Sequence, residues 1–397
     1  MNANVSNVSV GAWAEPRMAR PLVNKLTMLS FLLMAAGLGT GVAGFFIGHD
    51  KLYAVTREVP WGILISTYAF FAITSTGLCL LAAIGHAFGG TPIAKLGNRA
   101  VYLSIITILS AFSVIGLELE SPWRMLIYNV ISPNLTSNIW WMGTLYGLAV
   151  GCMFVEFFAI LMGRLGIALA VGALGALSEV GANTNLGAVF ATLAARPFWY
   201  GAQLPVYFLC AAVMSGAAAI ILFTYLSYKF RGEEIEEGTM SGLQSAGKVL
   251  LLTIFLLAVA TVWRFISLYT GGPESGITAT NNLLYGPLST NFWLFETAIG
   301  MVIPIVILVF TQMKSVPAMA AASLMVLVGG FFQRYDLVVA GQQVPVFYGW
   351  DNLPSYLGYA PSAGELMVVM GGIGLTLTGF LAGERLFGKV FGQTGHH

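Results

Sequence analysis

The sequence predicts an all-α integral membrane protein with about ten transmembrane helices. Of its residues, 57% are hydrophobic and only 9% are charged, and the mean hydropathy is +0.81. A water-soluble domain of this size cannot bury so much apolar surface, whereas a lipid bilayer accommodates it. The net charge is only +1 and no basic run occurs, so we expect the bilayer as a partner and no nucleic acid.

Ten apolar segments are long enough to cross a bilayer, at about 20 residues per helix. In chain order the predicted spans are residues 27–48, 61–88, 99–117, 138–163, 166–182, 204–228, 247–268, 291–312, 316–333 and 363–387. Segment 1–26 lacks a short apolar core followed by a cleavage site, which indicates a polar tail rather than a signal peptide. An even number of spans predicts that both termini lie on one side of the membrane.

Lysine and arginine predict the orientation of these spans. The side that holds both termini carries twelve of them and the other side carries six. Because positive residues accumulate on the cytoplasmic side, we expect both termini in the cytoplasm. The longer, aromatic-rich connections then face outward, where they either carry a partner surface or simply vary as loops do.

A near-repeat indicates an internal duplication. Residues 136–144 and 289–297 share an asparagine, a tryptophan and a threonine at equal positions, 153 residues apart, and each stretch opens an apolar helix. Both helices run in the same direction, so the repeat is parallel and predicts two four-helix bundles, at 59–196 and 197–334. The remaining segments are the N-terminal tail at 1–26 and a flanking first helix with its outer loop at 27–58. A final outer loop, flanking helix ten and the C-terminal tail occupy 335–397.

Carboxylates at membrane depth are the first functional candidates, because an acid in hydrocarbon is costly. Glu179 lies in helix five without an obvious cation on its own helix, and Asn183 and Asn185 follow it. Glu118 ends helix three at the outer interface, where pairing with Arg124 is the structural alternative. We predict that Glu118 and Glu179 are the catalytic groups, which exchange protons with a substrate.

Aromatic residues cluster toward the outer ends of helices two and four. A belt of interfacial aromatic residues explains part of this cluster. A quinone, which is a flat ring with two carbonyl groups, needs such an aromatic wall together with polar donors and a titratable group. The sequence therefore predicts a quinone site near the outer face of the first bundle. The predicted quinone-binding residues are Trp61, Tyr68, Trp140, Trp141, Asn183 and Asn185.

Two further ionisable residues lie toward the cytoplasmic side of the first bundle. Glu156 lies in helix four and His86 near the inner end of helix two. Each has a structural alternative, as a protonated acid bonded to a neighbouring helix or as a satisfied helix-end residue. We predict that they form a proton pathway from the cytoplasm. Glu296, in helix eight, is interpreted as the counter-charge of Arg264.

Histidine and cysteine usage argues against a resident metal centre. The sequence has three cysteines without CxxC spacing, whereas an iron–sulfur cluster needs four thiolates. A bis-histidine haem needs two opposed histidines within the membrane, and only His86 lies clearly inside a span. We therefore expect menaquinone or ubiquinone as a substrate and no haem or iron–sulfur cluster bound by this chain.

Several motifs occur in a characteristic order along the chain. They are Val59-Pro-Trp-Gly62, Ser66-Thr-Tyr-Ala-Phe-Phe71, Glu118 to Trp123, Arg196-Pro-Phe-Trp199, Leu204-Pro205, and Asn291-Phe-Trp293 with Glu296 and Pro304. Together they resemble the polysulfide-reductase-type membrane anchors, the NrfD-like family, and in particular its ten-helix branch. Relatives often carry a His-Gln-Ser-Ser-type turn after helix five and an acid near the position of Trp141. This protein has neither, so Asn183, Asn185 or Glu179 would have to contact the quinone.

The resemblance implies a quinone-reactive anchor subunit of a respiratory oxidoreductase complex in the cytoplasmic (inner) membrane of a bacterium or archaeon. Electrons would pass between the quinone and an extracytoplasmic ferredoxin-like subunit with four-iron clusters. That subunit would connect to a multihaem cytochrome, molybdopterin or hydrogenase subunit. The competing hypothesis is a small-solute or proton transporter or channel without a redox role, favoured by the short, Gly-rich helix five. A third is a purely structural anchor with a degenerate site.

Overall fold

The computed structural model describes residues 13–18, 20–88, 91–346 and 353–392. Within them the chain is helical, without strands, and ten helices are long and apolar enough to cross a membrane, which confirms the predicted fold class. The helices are α1 (Pro21–Ile47), α2 (Ile63–Ala87), α3 (Ala94–Glu118), α4 (Asn138–Leu161), α5 (Leu165–Ala191), α6 (Gln203–Arg231), α7 (Glu237–Gly271), α8 (Asn291–Phe310), α9 (Val316–Gln343) and α10 (Ala363–Phe387). The C-terminal His396 and His397, and the first twelve residues of the predicted tail, lie outside the described residues.

Several helices are longer than the sequence predicts, α5 and α9 among them. α5 continues past residue 182 to Ala191, and α9 continues past residue 333 to Gln343. Asn183 and Arg334 therefore lie inside helices, where both are buried. Hydropathy falls at these points because the helices turn polar side chains toward the bundle interior, not because the helices end. α5 is one continuous helix of 27 residues, so the short helix five that favoured a transporter is not found.

The two halves of the chain use the same helix pairing. In the first half α2 packs against α3 and α5, and α4 packs against the same two helices. In the second half α6 packs against α7 and α9, and α8 packs against the same two helices. The halves meet along α2 and α6, where a Cβ added to Gly77 would lie 1.7 Å from the carbonyl oxygen of Ala212. Backbones approach this closely only through glycine. The division of the chain at residues 196 and 197 stays a prediction.

One end of the bundle is held by a buried ion network. Here α3 begins and α6 and α10 end, and the start of α1 lies on the same side, so we call it the terminal face. The carboxylate of Glu384 accepts hydrogen bonds from Arg99 Nε at 2.6 Å, Arg231 Nη2 at 2.5 Å and Ser227 Oγ at 2.6 Å. Three helices that are distant in sequence are thereby joined at this face.

The other end, which we call the opposite face, is held by contacts with the end of α9. Arg196 Nη1 donates to the carbonyl oxygens of residues 341, 342 and 344, at 3.4, 3.1 and 2.9 Å. A cation at a helix C-terminus stabilises its unpaired carbonyl groups. Gln342 accepts a hydrogen bond from the backbone N–H of Trp61 and donates to its carbonyl oxygen. The start of α2 is thereby tied to the second half.

α8 changes its winding along its length. It is π-helical from Asn291 to Val302 and α-helical from Ile303 to Phe310. Pro304 lacks an N–H group and cannot donate to the preceding turn, which fits a change of winding at this point. π-Helical turns are frequent at functional sites, and this one carries the buried Glu296.

Candidate functional site

Glu179 lies near the middle of α5 and is fully buried. The Thr76 hydroxyl of α2 donates to its Oε2 at 2.5 Å, and the Ser75 hydroxyl lies 3.3 Å from Oε1. Ser75 also donates to the carbonyl oxygen of Ser104 on α3, at 2.9 Å. In the described part of the chain no Lys, Arg or His nitrogen lies within 4.0 Å of this carboxylate. Glu179 is therefore an acid held by neutral hydroxyl groups, a suitable arrangement for taking up and releasing a proton.

Asn183 follows one helical turn closer to the opposite face and is also fully buried. Among the residues that the structure describes, neither its Nδ2 nor its Oδ1 has a hydrogen-bond partner. Leaving a buried amide unpaired costs about 1–3 kcal/mol per group, so such groups are rare unless water or a ligand satisfies them. Asn183 thus presents an NH2 donor group and a carbonyl acceptor beside the Glu179 carboxyl group.

Two tyrosines from other helices approach the same region. Tyr68 of α2 is buried, and its hydroxyl donates to the sulfur of Met142 at 3.5 Å. Tyr146 lies on α4, one turn after Met142, and is fully buried. It is close enough to Tyr68 and Glu179 to interact with them electrostatically. The predicted residues Glu179, Asn183 and Tyr68 therefore share one interior region, bounded by α2, α4 and α5.

The other predicted wall residues have different neighbours. Trp140 Nε1 donates to the carbonyl oxygen of Asn129 at 2.8 Å, and Trp141 Nε1 to that of Leu135 at 2.9 Å, both in the connection before α4. Trp61 stacks on Trp199, with ring centroids 5.5 Å apart. These indoles support the connections at the opposite face and are not in contact with Glu179.

Asn185 also has a different environment from Asn183. It is half-buried, and its Nδ2 donates to the carbonyl oxygen of Gly181 on its own helix at 2.8 Å. Its amide group is therefore already satisfied in part, which distinguishes it from its neighbour two residues earlier.

Glu118 lies apart from Glu179. Its α3 helix passes Ser104, beside Glu179, and then continues for fourteen residues, which at 1.5 Å per residue is about 21 Å. There Glu118 is near Tyr53 and Glu365, and no ion pair with Arg124 forms among the described residues. Burial, with the charges of Glu118 and Glu365, raises the pKa of Tyr53 to about 12. Glu118 and Glu179, which the sequence predicts as the catalytic groups of one site, therefore lie in different regions of the bundle.

Glu156 and His86 are in direct contact near the terminal face. His86 Nδ1 lies 3.1 Å from Glu156 Oε1, and its Nε2 lies 3.2 Å from Asn98 Oδ1. Asn98 Nδ2 donates to the carbonyl oxygen of Val390, close to the end of α10, at 3.0 Å. A Cβ on Gly172 of α5 would lie 2.5 Å from Glu156, so this glycine makes the room for the carboxylate. The arrangement is a hydrogen-bonded series that begins at the terminal face.

A second group of buried charges lies within the second half. Arg264, Glu296, Arg334 and Asp336 are each more than nine-tenths buried. Among the described residues no ion pair within 4.0 Å joins them, so Glu296 does not contact Arg264 directly. Glu296 accepts a hydrogen bond from Gln333 at 3.4 Å, while both arginines act on it through space.

Four partners of the site are not singled out by the sequence. They are Ser75, Thr76, Asn98 and Tyr146. Hydroxyl residues in apolar helices mostly bond to their own backbone, as Thr74 does to the carbonyl oxygen of Phe70. The only signal that the sequence offers is the run of three hydroxyl residues, Thr74 to Thr76, at the midpoint of α2.

The protein resembles known membrane proteins along most of its length. Residues 51–346 match the family model described as polysulphide reductase, NrfD. A selenate reductase subunit of Mesobacillus selenatarsenatis is 23% identical, over 87% of this sequence and 90% of the relative. The Hdr-like menaquinol oxidoreductase integral membrane subunit of Archaeoglobus fulgidus is 24% identical, over 90% and 92%. A polysulfide reductase subunit of Wolinella succinogenes is 24% identical, over 72% and 95%.

Proposed function

The chain belongs to the polysulphide reductase NrfD family, and on this premise we propose that it is the quinone-reactive membrane subunit of a respiratory oxidoreductase complex. The names of its relatives support this proposal, since each is a subunit of a reductase or of a menaquinol oxidoreductase. We further propose that the terminal face is cytoplasmic, and that the opposite face meets an extracytoplasmic iron–sulfur subunit.

The observation that carries the proposal is the unpaired amide of Asn183 beside the buried Glu179. A quinone ring has two carbonyl oxygens, which accept hydrogen bonds, and a quinol has two hydroxyl groups, which also donate. The Asn183 amide matches either form, because it supplies both a donor and an acceptor. Glu179 can exchange a proton with the quinone or quinol oxygen that the Asn183 amide contacts. Tyr68 and Tyr146 supply the flat apolar surroundings that an aromatic ring requires.

In this proposal the protein itself supplies binding and proton exchange. Oxidation of a quinol releases two electrons and two protons, and reduction of a quinone takes up the same number. Asn183 holds the ring, Glu179 accepts or returns protons, and Thr76 and Ser75 keep the Glu179 carboxyl group in one position. Electrons pass to or from the partner subunit.

We expect Asn183→Leu to weaken quinone binding at least tenfold, since a buried hydrogen bond to a ligand is worth about 1.4 kcal/mol or more. Leucine has the same branched arrangement of four side-chain heavy atoms and removes only an unpaired amide, so the fold should be retained. The measurement is titration of the purified protein in lipid nanodiscs with a short-chain naphthoquinone. Thr184→Val is the matched control, since that hydroxyl bonds to carbonyl oxygens of its own helix. Unchanged affinity in Asn183→Leu would remove Asn183 from the site and leave the proposal without its main support.

We also propose that Glu156 and His86 conduct protons between the cytoplasm and this site. Gly172, which abuts the Glu156 carboxylate, lies seven residues before Glu179 on α5, or about 10 Å along the helix axis. The buried Cys79 lies within electrostatic range of both carboxylates. Bound water would have to bridge this gap.

A Glu156→Gln variant should therefore slow proton exchange from the cytoplasmic side, while leaving quinone affinity unchanged. Glutamine retains a hydrogen bond to His86 but cannot carry a proton. The measurement is pH change inside and outside vesicles that contain the assembled complex during quinone-linked turnover. Glu237→Gln, an exposed acid on the same face, is the control. Normal proton exchange in Glu156→Gln would exclude this route.

A further inference from the structure

A short helix, Pro122–Ile131, carries an apolar face that the described part of the protein leaves mostly exposed. Along it the residues Trp123, Leu126, Ile127, Val130 and Ile131 recur at the spacing that places them on one side of an α-helix. Leu126 is 74% exposed and Val130 78% exposed. Contiguous apolar patches of this kind rarely stay in contact with water.

The other side of this short helix contacts α4 at residues that lie one to two turns after the first residue of α4. Asn129 Nδ2 donates to the hydroxyl of Thr144 at 2.9 Å. The Met125 methyl group lies 3.3 Å from the place where a Cβ on Gly143 would be. Thr144 is six residues into α4, or about 9 Å along its axis. The short helix therefore runs beside the first turns of α4 and not above them.

The depth of these contacts corresponds to the membrane interface. α4 has 24 residues, which makes it about 36 Å long, whereas the hydrocarbon core is about 30 Å thick. If α4 is centred in the bilayer, about two residues at each of its ends project beyond the hydrocarbon core. Thr144 then lies a few ångströms inside the core, and the short helix beside it lies at the boundary.

The apolar face is continuous with surfaces that already face lipid. Trp123 packs against Phe45 near the end of α1, with ring centroids 6.1 Å apart, and the neighbouring Phe46 is almost fully exposed. On the other side, Ile139 and Leu148 of α4 are exposed apolar residues. The short helix thus bridges two lipid-facing helices at the same level.

From this placement we propose that Pro122–Ile131 is an amphipathic anchor, inserted in the lipid leaflet at the opposite face, and not a docking site for a partner protein. Its five apolar side chains enter the boundary between head groups and acyl chains. Arg124 and Tyr128 lie at the side of this apolar face and can reach the head groups. The anchor also presses Met125 and Asn129 against α4, which fixes the connection that receives the Trp140 indole. The proposal is independent of quinone binding.

The test places an environment-sensitive fluorophore at single cysteines, in a background whose three native cysteines are replaced by alanine. Positions 130 and 126 probe the apolar face, and position 274, an exposed residue at the start of the helix Glu274–Leu284, is the control on the same side of the membrane. The labelled protein is placed in phosphatidylcholine vesicles, with and without lipids that carry a spin-label quencher near the head group.

We expect blue-shifted emission at positions 126 and 130, and quenching by the labelled lipid several-fold stronger than at position 274. Iodide in the aqueous phase should show the reverse order. Strong iodide quenching at 126 and 130, with little quenching by the lipid, would overturn the proposal. Protection from iodide that occurs only in the assembled complex would also overturn it, because a partner protein would then cover this face.

Discussion

A Glu179→Gln variant should lose about a hundredfold or more of its quinone-linked turnover, while the complex still assembles in the membrane at normal levels. Glutamine has the same shape, and its carbonyl oxygen can accept the hydrogen bond that Thr76 donates to Glu179. The packing of α5 against α2 should therefore persist. Glutamine cannot take up or release a proton, so the proposed proton exchange with the quinone would stop.

The measurement is oxidation of a quinol analogue, or reduction of a quinone analogue, by the assembled complex with an artificial electron partner. We expect the loss to show mainly in kcat, whereas Asn183→Leu should act mainly through KM, because Asn183 holds the ring and Glu179 exchanges the proton. Glu274→Gln, an exposed acid on the opposite face, is the matched control. Full turnover by an assembled Glu179→Gln complex would exclude Glu179 from the mechanism.

The position of the candidate site can be predicted in part from the sequence. An acid and an amide four residues apart in an apolar helix must share one face of that helix, so Glu179 and Asn183 are recognisable in advance. Their partners are not, because the sequence does not say which helix faces them. That Asn183 is unpaired, whereas Asn185 bonds to Gly181, is visible only once the neighbouring helices are placed.

The aromatic residues show why the surroundings of the candidate site could not be predicted in full. Trp140 and Trp141 are adjacent and therefore point about 100° apart around α4. Their indole N–H groups are taken by backbone carbonyl oxygens in the connection that precedes α4. Tyr68 and Tyr146 instead reach the interior. Composition indicates an aromatic-rich end, but only packing separates residues that hold loops from residues that face the interior of the bundle.

Glu118 and Arg334 illustrate two further limits of the sequence. Glu118 is near Glu365 because α10 returns beside α3, a contact between distant parts of the protein that local patterns do not encode. The hydropathy pattern predicts Arg334 in a loop, since a charge normally ends an apolar segment. It lies inside α9 because the bundle offers it the aromatic rings of Tyr207 and Phe208, at 5.2 and 4.8 Å.

The largest effect on stability should come from Glu384→Ala at the terminal face. Glu384 is 1% exposed and is bonded to Arg99, Arg231 and Ser227. Removing one partner from a buried ion network leaves the remaining charges without compensation, which typically costs about 3–5 kcal/mol. Here two buried guanidinium groups would lose their shared carboxylate, and α3, α6 and α10 would lose the contact that joins them.

The measurement is the free energy of unfolding of the purified protein in detergent, followed by helical circular dichroism, together with the yield of protein in membranes. The control is Arg17→Gln, on the same face, which breaks the ion pair of Arg17 with Glu233. The Arg17 side chain is 63% exposed, so this change should cost less than about 1 kcal/mol. A loss in Glu384→Ala no larger than that of the control would mean that apolar packing alone holds the three helices together. The buried network would then specify how these helices are aligned without stabilising them, and Glu384→Gln should also leave stability unchanged.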